Sequence, residues 1–184
     1  AHLRRHFHAL RPLTIGCATS SAVLAHHLNQ VVTGLPVTLQ CNHSPDWRAP
    51  LDLASRIAQC SAWTQPDLIA WIAEDGEHVQ VYDSQHRLVD NTAMNTWLLA
   101  AAQREDMHSH RRVIHACQQD LSAWEFDQQI RQPETLAGID TEGRYWCGGS
   151  EPACDAILTL AAILRAMSWS DAPLAEQVEL VAGA

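Results

Sequence analysis

Apolar residues recur along the chain in two rhythms, short continuous runs and three-to-four-residue spacings, which is the pattern of strands alternating with helices in a layered α/β fold. Residues 13–17 form a short apolar run. Thr19, Ser20 and Ser21 then supply capping side chains ahead of Val23, Leu24, His27, Leu28, Val31 and Val32, which share one helical face. Gly34 ends that helix, and residues 36–40 read as the next strand. The polar stretch 41–50 with its two prolines is a loop, and residues 51–62 are helical with Leu53, Ile57 and Cys60 inward. Residues 68–73 (LIAWIA) are a continuous apolar run of the kind seen in strands buried on both faces; an acidic turn, 74–78, leads to a returning strand, 79–83. Leu13, Ile15, Ile69, Trp71, Val79 and Val81 are therefore expected in the core of one sheet.

A second cycle follows. Residues 92–104 are a helix through Met94, Trp97, Leu98 and Ala101, and the polar run 105–111 is the expected boundary between two units, 1–104 and 105–184. Residues 112–117 read as a strand, 121–130 as a helix with Leu121, Trp124, Phe126 and Ile130 inward, and 135–139 as another strand. The polar turn 140–144 and the aromatic pair Tyr145 and Trp146 come next. A long helix over 153–167, capped from Ser150 or Pro152, and a short one over 174–181 complete the chain. The expected fold is α/β, two small units each with a mixed sheet covered by helices, and no internal repeat is evident.

Composition narrows the chemistry. The 184 residues contain no lysine, so Schiff-base chemistry and the lysine of a nucleotide P-loop are excluded. The net charge is −9 and the twelve arginines are scattered, which argues against a nucleic-acid partner. No apolar run approaches the roughly 20 residues that cross a bilayer, so no membrane association is expected. The six cysteines form no C-x-x-C pair and no basic-then-apolar secretion signal precedes them, which leads us to expect reduced thiols in the cytoplasm.

Candidate chemistry concentrates in the acidic turn Glu74, Asp75, Gly76, Glu77. Crowded carboxylates at the end of a buried strand can hold a hard cation such as Mg²⁺, although a solvated hairpin turn explains the same residues. The eleven histidines lack partners at zinc-ligand spacing, and Ser20 and Ser21 read as helix caps.

The order of these features resembles the phosphohexomutases, the phosphomannomutase and phosphoglucomutase superfamily. Residues 67–90 (DLIAWIAEDGEHVQVYDSQHRLVD) are similar to the region of that family's metal loop, D-G-D-x-D-R, and Pro50 with the following helix to the segment leading into it. Residues 137–146 (AGIDTEGRYW) resemble its sugar-recognition turn, G-G-E-x-S-G-H-Y-W, and residues 154–178 the closing helix of its third domain. The resemblance thus implies the second and third domains of a four-domain enzyme. It places the three metal-loop aspartates on Ala73, Asp75 and Glu77 and the loop's arginine on His78, and it places the sugar-loop glutamate, serine and histidine on Asp140, Glu142 and Arg144.

Those correspondences carry the functional expectation. Asp75 and Glu77 remain as metal ligands, with one ligand lost to Ala73 and another lengthened, so Mg²⁺ binding is expected to be weak. His78, Asp140, Glu142 and Arg144 are the expected substrate contacts, for a hexose phosphate, with two carboxylates beside one arginine. The family's phosphoserine belongs to its first domain and its phosphate-gripping loop to its fourth, and no T-A-S-H-N-type motif occurs in these residues. No catalytic residue is assigned. The expectation is a non-catalytic or remnant phosphohexomutase-like protein acting through binding, a protein partner or homo-oligomerisation. The alternatives are a phosphosugar mutase, active only with further segments or partner chains, and a metal-dependent hydrolase using Asp75 and Glu77 alone.

Overall fold

Two four-stranded mixed sheets, in strand orders β2-β1-β3-β4 and β5-β6-β7-β8, organise the chain. A computed structural model describes residues 6–48, 52–107 and 110–182. In the first sheet, β1 (Leu13–Thr19) pairs in parallel with β2 (Val37–His43) and with β3 (Leu68–Ile72), and β4 (Val79–Asp83) returns antiparallel to β3. α1 (Ala22–Val32) and α2 (Leu53–Gln59) make the crossovers. In the second, β5 (Arg112–His115) pairs in parallel with β6 (Thr135–Ile139), followed antiparallel by β7 (Tyr145–Cys147) and the two-residue β8 (Ala153–Cys154). α4 (Ala123–Ile130) joins β5 to β6, and α5 (Ala156–Met167) and α6 (Leu174–Ala182) end the described chain. The expected α/β class holds.

The run LIAWIA becomes β3 for the reason its composition suggests. Leu68, Ala70 and Ile72 enter the main core, while Ile69 and Trp71 enter a second cluster with Trp47, Ile57, Trp63 and Tyr82 on the opposite face. Leu13, Ile15, Ile69, Trp71 and Val81 are buried as expected, whereas Val79 is only half-buried because it lines the cleft described below. Residues 87–89 fold back on β4, with Val89 N–H donating to Val81 O (2.9 Å), so this edge strand is partly covered.

The main core is continuous across both sheets, running from Leu28 and Ile72 to Ile139, Ile157, Leu160 and Val178. α3 (Asn91–Glu105) packs on β5, β6, α5 and α6, and α5 touches both β4 and β7.

Several local expectations are corrected. The inward face of α1 is set by Ala25, Leu28 and Val32, with Val23 65% exposed and His27 exposed, because α1 lies on the sheet along a stripe rotated from the one its apolar residues suggest. Trp124 is likewise outside, 71% exposed, while Phe126 and Ile130 of the same helix pack inward. The expected loop after β2 contains a 3₁₀ turn, Pro45–Trp47, and α2 ends at Gln59; Ala49, Pro50 and Leu51 lie outside the described residues. The long helix starts at Ala156, not at residue 153, because Asp155 accepts from both Ile157 N–H and Leu158 N–H as its cap. Residues 153 and 154 are instead taken by β8.

Candidate functional site

The β3–β4 and β6–β7 turns are built alike. Asp75 Oδ1 accepts from the backbone N–H of Glu77 (2.8 Å) and His78 (3.2 Å), and Oδ2 pairs with His78 Nδ1 at 2.7 Å. Asp140 Oδ1 accepts from Glu142 and Arg144 N–H, both at 2.9 Å, and Oδ2 accepts from Arg144 Nε (2.8 Å) and Trp146 Nε1 (2.9 Å). Each turn needs a left-handed residue to close, supplied by Gly76 (φ +74°) and Gly143 (φ +77°). A third turn repeats the device: Asp83 accepts from Gln85 N–H, Arg87 N–H and Arg87 Nε at 2.8 to 2.9 Å. The Asp-x-x-x-Arg spacing after a strand, shared by residues 83–87 and 140–144, is the sequence signal for this device.

Tertiary contacts then bring the first two turns together. Arg144 Nη1 lies 2.7 Å from Glu77 Oε2 and 3.5 Å from Glu142 Oε2, and His78 Nε2 is 3.9 Å from Glu142. Ala156 N–H, at the start of α5, donates to Gly76 O (2.8 Å), tying the first turn to the second unit. Asn95 Nδ2 donates to Gly143 O (3.2 Å), tying the second turn to α3. Asn95 and Trp146 are site residues that sequence reasoning missed; the signal for Asn95 was an amide inside the apolar stretch MNTWLL.

Between the turns lies a cavity of about 330 Å³ whose wall includes Trp71, Gln80, Asn95 and Tyr145 beside Glu77 and Arg144. Five of the six residues expected from the sequence, Glu77, His78, Asp140, Glu142 and Arg144, converge on it or on its margin. Asp75 stands one contact back through His78, and Glu74 is turned away to Arg48 (2.6 Å) in an exposed pair worth little.

The electrostatics follow from burial and pairing. Burial pushes the Asp140 carboxyl up, but the Trp146 indole N–H, the Arg144 amide and the Arg144 guanidinium outweigh it and hold the group below the usual carboxylate range. Burial also raises Asp75, and the Glu77 and His78 hydrogen bonds reverse that to leave it lowered. Cys154, whose Sγ lies 4.0 Å from Glu77 O, is pushed up to about 12 by burial and supplies no thiolate near neutrality.

The residues present do not fit Mg²⁺. Both Asp75 oxygens are committed within its own turn, Glu77 is paired with Arg144, and Ala73 has no donor; among the described residues no group of three His, Cys, Asp or Glu is placed to hold a metal. No described helix is long and apolar enough to cross a membrane.

No family model matches the chain, and no curated protein matches it. Solved structures do. The chain is similar to a phosphoglucomutase/phosphomannomutase family protein from Burkholderia thailandensis, with a TM-score of 0.71 and 14% identity over 98% of this chain and 45% of that one. It is also similar to an N-acetylglucosamine-phosphate mutase, a member of the alpha-D-phosphohexomutase superfamily, with a TM-score of 0.64 and 9% identity over 97% of this chain and 49% of that one. The chain has a partial phosphohexomutase-like fold and spans about half the length of these structures.

Proposed function

We propose that this chain is a phosphohexomutase-like protein that works by binding or association and not by phosphoryl transfer, with residues 1–104 and 105–184 corresponding to the family's second and third domains. One observation carries the reading: Arg144, the cation of the sugar turn, is held by Asp140, Glu77 and Glu142 while the cavity beside it stays open. Phosphoryl transfer depends on positioning and on neutralising charge as it develops. A guanidinium shared among three carboxylates has little charge left for a phosphate dianion, so hexose phosphate binds weakly at His78, Asp140, Glu142 and Arg144. With Asp75 bonded within its own turn and Glu77 paired with Arg144, Mg²⁺ binding at this pair is expected to be no tighter than about millimolar. A protein partner or a second copy of the chain is the other partner class, and the six free thiols suit a reducing cytoplasm.

The test is a coupled assay with glucose 1-phosphate or mannose 1-phosphate, a bisphosphate activator and Mg²⁺. No turnover is the expected result. The match to about half of each solved structure favours one competing reading, a phosphosugar mutase completed by further segments or chains. Turnover that disappears in Asp75→Ala would replace the non-catalytic proposal with that one.

A further inference from the structure

We infer that Arg144 is the resident cation of the cleft, its guanidinium joining Glu77, a carboxylate of the turn where the resemblance places a divalent metal, to Asp140 and Glu142 of the other turn. Three carboxylates from two hairpins surround it: Asp140 at 2.8 Å, Glu77 at 2.7 Å and Glu142 at 3.5 Å. The planar fork suits this task, because Nε is spent on its own turn and Nη1 reaches across to the other. The Trp146 ring, 6.0 Å from Cζ, lies beside the guanidinium, and the same indole donates to Asp140. Of the neighbouring basic side chains, Arg48 is turned to Glu74, and His78 pairs with Asp75 at 2.7 Å and stands 3.9 Å from Glu142.

A divalent ion entering here has to displace a positive charge tethered within the site, which competes as an intramolecular partner. The junction between the hairpins is therefore independent of metal in the wild-type protein. Removing the guanidinium reverses this. Asp140, Glu77 and Glu142 are then left close together without the guanidinium, with the nearest basic group, His78, 3.9 Å from Glu142, an arrangement that a hard divalent cation relieves.

The experiment is a titration with Mn²⁺, read by the loss of the free-ion paramagnetic resonance signal and by thermal unfolding, on the full 184-residue chain. Wild type is expected to show no binding tighter than about millimolar and a Tm indifferent to MnCl₂. Arg144→Gln is expected to bind roughly tenfold tighter or better and to gain Tm as Mn²⁺ rises. Adding Glu77→Gln to that variant removes the gain, and Arg144→Lys, which keeps a charge, stays indifferent. If Arg144→Gln does not fold without metal, refolding it with Mn²⁺ restores the wild-type circular dichroism. Micromolar binding by wild type, Arg144→Gln binding no better than wild type, or failure to refold in either condition overturns the inference. None of these outcomes depends on turnover, so the proposed function stands or falls separately.

Discussion

Asp140→Ala is expected to lower the free energy of unfolding by about 2–3 kcal/mol, the cost of removing a buried carboxylate from charge-assisted hydrogen bonds. The side chain is 8% exposed and anchors two backbone N–H groups, the Arg144 guanidinium and the Trp146 indole at once. Its loss leaves Arg144 without its main partner and the β6–β7 turn without its internal acceptor. Urea denaturation at neutral pH measures the effect. Stability equal to wild type would show that the turn is held by its strands alone.

The pH dependence has a definite sign. Asp140 is lowered in the folded state, so the unfolded state binds protons more readily and the carboxylate's contribution is complete above the unfolded value, about 3.9. It is lost as pH falls through the folded value. The stability gap between wild type and Asp140→Asn should be flat from about pH 5 to pH 7 and should narrow below about pH 4. A gap that widens on acidification would contradict the assignment.

Leu160→Ala is expected to cost about 3–4 kcal/mol, in the range for a fully buried leucine whose site cannot collapse. Leu160 lies in α5, is 0% exposed, and belongs to the cluster that includes Ile15 and Ile72 from the first sheet and Ile139 from the second. Because that cluster is continuous, the substitution should weaken both units together. Native-state hydrogen exchange on the Ile15, Ile69 and Ile139 amides reads this out: all three should lose protection by similar amounts. Loss confined to Ile139 would mean that the two sheets unfold independently.

Particular elements show where sequence reasoning succeeds. Residues 68–73 could be read as a doubly buried strand because a run with no polar position leaves neither face free for water, and the Asp-Gly of the following turn marks the reversal locally. Ser21 could be read as a cap for the same reason, since its bond to Leu24 N–H spans three residues. The stripe of α1 could not. Val23 and Val31 look equally apolar in sequence, and which of them meets the sheet depends on how the helix lies on β1 and β2. Trp124 illustrates the same limit, being large, apolar and outside.

By itself, the sequence determined the order of the helices and of the first six strands, the two acidic turns, and the candidate residues within each turn. All of these depend on interactions among neighbours a few positions apart, where residue type and spacing suffice. Tertiary structure alone decided that Glu77 and Arg144, 67 positions apart, form one ion pair, that Asn95 and Ala156 fasten the two turns, and that a cavity remains between them. Those outcomes depend on how two sheets pack around one shared core, a property of side-chain volumes summed over the whole chain that no local pattern contains.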